Sequence, residues 1–221
     1  DPGNVNITLS YANLLWRTNR KDQAFQVYND GLKIDPTNHA ALTALGYLSR
    51  DMANPKGAEQ YFLKVQSLYP KDYVSYLALG DLYTSQHEFE KAQSNYEKAH
   101  RLAPDNPLVV SGGINSALEA HKLPVASNWV RRATANPVIE QNPQVMREHE
   151  RYLTFMGQYA EAAALGYKVI EKLPHDPEAP VYLAYDLLYL NRYQESYAIV
   201  QKFEPLLPKD ASAKKGRILL A

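Results

Sequence analysis

Small and apolar residues recur along this chain with the spacing of one helical face. Ala24, Ala58, Ala92, Ala126 and Ala162 occupy equivalent places, and Ser196 takes the sixth. Four residues after each stand Tyr28, Phe62, Tyr96, Val130, Gly166 and Val200; seven after stand Gly31, Val65, Ala99, Ala133, Val169 and Phe203. Offsets of four and seven fall on one side of an α-helix, so each stretch predicts an amphipathic helix whose small residue admits a close neighbour. An earlier helix in each stretch carries a large residue followed by a small one, as in Tyr11-Ala12, Leu45-Gly46, Leu79-Gly80 and Leu183-Ala184. The pattern therefore predicts pairs of helices packed face to face, and an all-α chain.

Polar punctuation separates the pairs. Pro2, Pro36, Pro70 and Pro104 follow one another at 34 residues, as do Pro174 and Pro208, and an Asn or Asp comes two positions after each. Proline cannot continue the preceding helix, and the short polar side chain accepts from the first free amides of the next one. A fixed period of this size marks a stacked repeat. The units read as 5–38, 39–72, 73–106, 107–142, 143–176 and 177–210, with 211–221 as the start of a seventh unit or a cap. The step from Ala126 to Ala162 is 36 residues, so "NPVIEQNP" at 136–143 holds two extra residues, and Pro143 suits the first turn of the helix after it. Pro2 sits where a preceding repeat would end, which makes the sequence read as a fragment of a longer array.

Composition narrows the partners. Lys and Arg number 24 and so do Asp and Glu, so the net charge is zero. Such a balance offers no basic footprint for nucleic acid, and no apolar run is long enough for direct insertion into a bilayer. The chain has no cysteine, which excludes disulfides, thiolate catalysis and cysteine-based zinc sites. That absence fits an exported or periplasmic protein slightly better than a cytoplasmic one.

Candidate chemistry is sparse. The six histidines stand at no metal-ligand spacing and read as surface or loop residues. "REHER" at 147–151 reads as a solvated charged face. The carboxylates fall in loops or on outer helix faces, leaving no acid–base couple to support an enzyme. Gly112-Gly113 lacks the ending of a phosphate loop; inside a helix the two glycines cost ~1 kcal/mol each and make the fourth unit a soft point. Tyr11, Tyr28, Tyr76, Tyr83 and Tyr96 read as core tyrosines. Neither a cofactor nor a metal is expected.

The third unit, "YVSYLALGDLYTSQHEFEKAQSNYEKAHRLAP" at 73–104, places Tyr76, Leu79, Gly80, Tyr83, Ala92, Tyr96, Ala99 and Pro104 in a register that closely resembles the tetratricopeptide repeat. The resemblance implies a right-handed α-α superhelix, a solenoid of about six helix-turn-helix repeats plus a partial terminal helix. It also implies a concave groove lined by the first helix of each pair. In that register the groove candidates are Asn13, Tyr47, Asp81, Asn115, Arg151 and Tyr185, with Arg17, Arg50, Arg147, Tyr182 and Tyr189 one turn away. The family's carboxylate clamp for chaperone tails maps onto Leu9, Asn13, Ala44, Val74 and Ala78, of which only Asn13 fits, so that role is not expected. The expected function is a non-enzymatic scaffold that binds a peptide or protein partner in the groove. The alternative is a spacer or assembly arm of a larger complex, such as a periplasmic polysaccharide-export machine, and exposed repeat ends would permit self-association.

Overall fold

A computed structural model describes residues 5–206; Pro2, Pro208 and the segment 211–221 lie outside the described residues. Every regular element among them is helical. In order these are α1 (Val5–Arg17), α2 (Lys21–Ile34), α3 (His39–Asp51), α4 (Pro55–Leu68), α5 (Tyr73–Ser85), α6 (Phe89–Leu102) and α7 (Pro107–Glu119). They are followed by α8 (Leu123–Thr134), α9 (Pro137–Glu140), α10 (Pro143–Phe155), α11 (Tyr159–Lys172), α12 (Ala179–Tyr189) and α13 (Tyr193–Phe203), then a 3-10 turn at Glu204–Leu206. The chain forms two compact units that meet between Pro104 and Asp105. Unit one stacks the hairpins α1/α2, α3/α4 and α5/α6. In unit two, α10 packs on α7, α8 and α12 as well as on its own partner α11.

The polar punctuation caps the helices as its chemistry requires. Asn38 accepts from the Ala41 amide at 3.0 Å, Asp72 from Ser75 at 2.9 Å, Asn106 from Leu108 at 2.9 Å and Asp176 from Ala179 at 3.0 Å. The two additional residues at 136–143 are spent on α9, a single turn capped by Asn136. Its Ile139 is buried, and Asn142 then caps α10 with Pro143 in the first turn. Within each hairpin the two helices are joined by the same tight turn. One residue takes a left-handed conformation: Asn19, Ala53, His87, His121, Gly157 and Asn191. The next residue's amide bonds back five positions, from Arg20 to Leu15 and from Asn54 to Ser49, satisfying a carbonyl that the helix end would leave free.

Three of the hairpin cores are built from a glycine on the first helix and a ring on the second. A Cβ at Gly80 would stand 2.7 Å from the Tyr96 ring, and Gly46 faces Phe62 in the same way. In unit two Gly113 faces Trp129, whose indole is fully buried. The ring of that hairpin is therefore Trp129, one position before the Val130 expected from the period, and Gly113 has a packing reason to be glycine. Burying such a ring contributes roughly 1.5–3 kcal/mol. Around Leu45 in unit one gather Leu9, Ala12, Leu15, Tyr28 and Leu48 from the first two hairpins. Tyr11, expected in the core, is instead half exposed on the outer side of the first described hairpin.

Candidate functional site

In unit one the predicted stripe serves the hairpin cores. A buried tyrosine needs an acceptor where its hydroxyl reaches the edge. Tyr28 donates to Asn13 Oδ1 at 2.6 Å and Tyr96 to Asp81 Oδ1 at 2.8 Å. Burial pushes the Tyr28 phenol up to about 12. Asp81 opens to solvent from a recess crowded by protein; the crowding raises its carboxyl, opposed by the Tyr96 hydroxyl and the Arg50 charge. Tyr47 sets its edge against Phe62 at 5.1 Å, and the Arg50 guanidinium lies 5.2 Å from its ring centre. Tyr47, Arg50 and Asp81 thus form one cluster. Asn13 stands apart with Tyr28, and Arg17 is exposed at the end of α1.

Unit two overturns the reading of "REHER" as a solvated face. Because α10 is packed on several helices, Glu148, Glu150 and Arg151 are buried. Arg147 donates to Glu148 at 2.8 Å and to Asp176 at 2.6 Å; Arg151 donates to Glu148 at 2.6 Å and to Asn115 at 2.7 Å. Burial works against the charge on Arg147, but Glu148 and Asp176 outweigh it and hold the guanidinium above its usual value. Glu148 is thus clamped between two arginines, an arrangement that tolerates burial because opposite charges are paired.

Glu150 has no such partner. It is 0% exposed, neither carboxyl oxygen has a hydrogen bond, and it fills the space opposite Gly166, where a Cβ would strike Oε1. Burial pushes it well above the usual carboxylate range, reinforced by Asp186, Asp176 and Glu148 and opposed by Arg147. Asp186 accepts from Thr154 at 2.8 Å through one oxygen while the other is unpartnered, and burial raises it to about 7. Besides Glu148, two buried carboxyls without a cationic hydrogen-bond partner therefore lie where none was expected.

Above Asp186 opens a cleft of about 460 Å³ between the C-terminal half of α10 and α12, lined by Thr154, Phe155, Tyr159, Val181, Tyr182, Tyr185 and Tyr189. Phe155 is 46% and Tyr189 53% exposed. Tyr159 and Tyr189 stack in parallel at 4.3 Å, and Tyr185 tilts against Tyr189 at 5.4 Å. A second hollow of about 280 Å³ shares Tyr185 and Tyr189 and adds Leu188 and Tyr193. Arg151 reaches the ring of Tyr182 at 5.4 Å. The structure thus brings the predicted Tyr182, Tyr185 and Tyr189 together, with Asn115, Arg147 and Arg151 in the ion network beside them. The sequence reading missed Phe155, Tyr159 and Tyr193. The signal was "TFMGQY" at 154–159, which puts Phe155 and Tyr159 on either side of the turn where the first hairpin, "WRTNRK" at 16–21, has Arg17 and Lys21. Flat rings, hydroxyls and no ionised lining group equip the cleft for binding.

His39 sets its ring on Tyr69 at 4.9 Å beside Asp72, and His87 and His121 hold turns. Among the described residues no group of three or more His, Asp or Glu could hold a metal ion, and no helix is long and apolar enough to cross a membrane.

Stacked hairpins of two antiparallel helices, each closed by the same turn, define a helical-repeat solenoid protein. Tetratricopeptide repeat models match residues 5–48, 39–72 and 73–106. Among solved structures, Pseudomonas aeruginosa pilF is similar with a TM-score of 0.79 at 15% identity, over 97% of this chain and 96% of that one. PilW, a type IV pilus biogenesis factor, scores 0.79 at 17% identity over 96% and 97%. The APC/C hetero-tetramer Cut9–Hcn1 scores 0.82 at 13% identity, where this chain is covered fully and spans 43% of its counterpart. No curated protein matches the sequence. Residues 5–106 are tetratricopeptide repeats, and proteins built from such repeats are in general non-enzymatic protein-interaction scaffolds.

Proposed function

We propose that this protein is a non-enzymatic scaffold that holds a peptide segment of a protein partner, and that the tyrosine cleft of unit two is where the segment lies. The observation that carries this reading is a set of large rings around an open cleft, with Phe155 and Tyr189 left half exposed and the partly buried Tyr185 beside Tyr189. Large aromatic side chains supply contact area at low entropic cost and dominate interface energetics. The supporting ion network of Arg147, Glu148, Arg151 and Asn115 fixes α10 beneath the cleft, so the rings are pre-positioned and binding spends little free energy on ordering them. The unit-one candidates Asn13, Tyr47 and Asp81 are secondary contacts in this reading, since Asn13 and Asp81 already accept from Tyr28 and Tyr96 and the Tyr47 ring is set against Phe62.

The test selects ligands for the whole chain from a random peptide library and measures the best by calorimetry. Replacing both Tyr185 and Tyr189 with alanine should weaken binding about tenfold or more, as expected for aromatic anchors, while the thermal unfolding midpoint stays near that of the parent. Peptides that bind the double variant as tightly as the parent would remove the cleft from the reading.

A further inference from the structure

Resting on the reading of this cleft as a peptide site, we propose that its occupant is an uncharged, proline-rich segment in the polyproline II conformation. Three observations select that chemistry. The first is charge. No lining residue of either hollow is ionisable in the neutral range: the rings belong to tyrosine and phenylalanine, and the rest are Thr154, Val181 and Leu188. The neighbouring Arg147 and Arg151 are committed to Glu148, Asp176 and Asn115. An anionic segment would lose hydration there and gain no partner, and a cationic one would gain only ring faces, with no carboxylate to pair with.

The second is hydrogen-bond polarity. The hydroxyls of Tyr159, Tyr185 and Tyr189 have no hydrogen-bond partner among the described residues and can all donate. Thr154 is already spent on Glu150's carbonyl and on Asp186. An extended peptide of ordinary composition would bring backbone N–H groups, and the lining offers them only phenolic hydroxyls, which are poorer acceptors than a carboxylate or an amide. A proline-rich segment has few N–H groups and presents its carbonyls outward. Its polarity is the complement of this wall.

The third is shape. The parallel pair Tyr159/Tyr189 and the ring of Tyr185, tilted by 46° to Tyr189, make flat faces with a ridge at Tyr185 and Tyr189 that the two hollows share. Polyproline II repeats every three residues, so side chains three apart fall on one side and can enter two hollows across a ridge. Its backbone is already ordered before binding, and aromatic-lined grooves exploit this.

The test titrates the full chain, observed by amide NMR, with blocked decaproline, a length-matched blocked Gly/Ser peptide and maltohexaose. Decaproline should shift amides of α10 and α12 and bind at least tenfold more tightly than the Gly/Ser peptide, a 1.4 kcal/mol difference. Tyr189→Ser, at an exposed position, should abolish most of that preference, and Tyr197→Ala on α13 should leave it intact. Equal binding of the two peptides overturns the proposal, as does a response to maltohexaose in the absence of one to decaproline. If library peptides without proline bind in a Tyr185- and Tyr189-dependent way while decaproline does not, the peptide site stands and the proline assignment falls. If no peptide binds there, both fall.

Discussion

In the hairpin α5/α6, Gly80 leaves the room in which Tyr96 lays its ring, and the hydroxyl passes out to Asp81 at the edge. In α10/α11 the bulk comes from the other helix. Glu150 stands on the first helix where the glycine is expected, and Gly166 stands on the second where the ring is expected. The fold therefore requires complementary volume at two facing positions; which helix supplies it, and with what polarity, is free. The consequences differ because a tyrosine is long enough to carry its polar atom to the edge, whereas the glutamate ends inside. Unit one closes with the hydroxyls of Tyr28 and Tyr96 satisfied by Asn13 and Asp81. Unit two closes over Glu150 and Asp186, whose burial favours the protonated form.

The largest effect expected from this contrast is at Tyr96. Tyr96→Ala should cost about 3–5 kcal/mol in urea unfolding, since it leaves a ring-sized cavity against Gly80 that the glycine cannot fill. A loss below about 1 kcal/mol would show that the ring is not what holds the hairpin. Glu150→Leu should act with the opposite sign. It keeps the volume and removes an unpartnered buried carboxyl, so it should add about 1–3 kcal/mol at pH 8. The sign with pH follows from proton binding. The folded chain keeps protons on Glu150 and Asp186 that the unfolded chain releases near 3.8 for an aspartate, while Asp186 folded holds its proton to about 7. The contribution of Glu150 and Asp186 is therefore greatest below the ordinary carboxylate range, falls as pH rises through it, and levels off for Asp186 above about 7. Asp176, held low despite burial by the Ala179 amide and Arg147, works the other way, but only below its ordinary range. The advantage of Glu150→Leu should accordingly shrink toward pH 5, leaving the slope that belongs to Asp186. A flat parent profile would refute the protonated core.

What the sequence conveyed of the fold was its local chemistry. Proline followed by Asn or Asp marks a helix stop and a cap wherever it occurs, because both effects act within three residues, and Asn38, Asp72, Asn106 and Asp176 cap as read. The charges of α10 were misread because their partners are distant in sequence. Arg151 is satisfied by Asn115, 36 residues before it, and Arg147 by Asp176, 29 residues after it. Alone on one helix they resemble a solvated face. Yet Gly166 in the ring's slot was a legible sign that some other side chain had to fill the hairpin. Tyr182, Tyr185 and Tyr189 could be read from the repeat register, while Phe155 and Tyr159 flank a turn, where the register says nothing about which way a ring points. Tyr11 shows the reverse failure: its counterpart Leu45 is enclosed by the first two hairpins, but Tyr11 itself lies on the outer side of the first.

The turns extend the comparison at its smallest scale. All six hairpins place one residue at positive φ, yet only Gly157 in unit two is glycine; unit one uses Asn19, Ala53 and His87. An L-residue in that conformation brings its Cβ against the following carbonyl, at roughly 1–2 kcal/mol, and glycine avoids this while losing about 0.4–1 kcal/mol through a freer unfolded chain. Nothing lies within 4 Å of a Cβ built on Gly157, so Gly157→Ala introduces no packing clash and reports the backbone alone. It should destabilise by about 1 kcal/mol, and Ala53→Gly should stabilise by a similar amount. Equal and opposite shifts in the unfolding midpoint would show that the turn conformation, the same in all six hairpins, sets the cost in both units. A loss at Ala53→Gly would mean that the methyl group of Ala53 contributes a contact that outweighs the strain it bears.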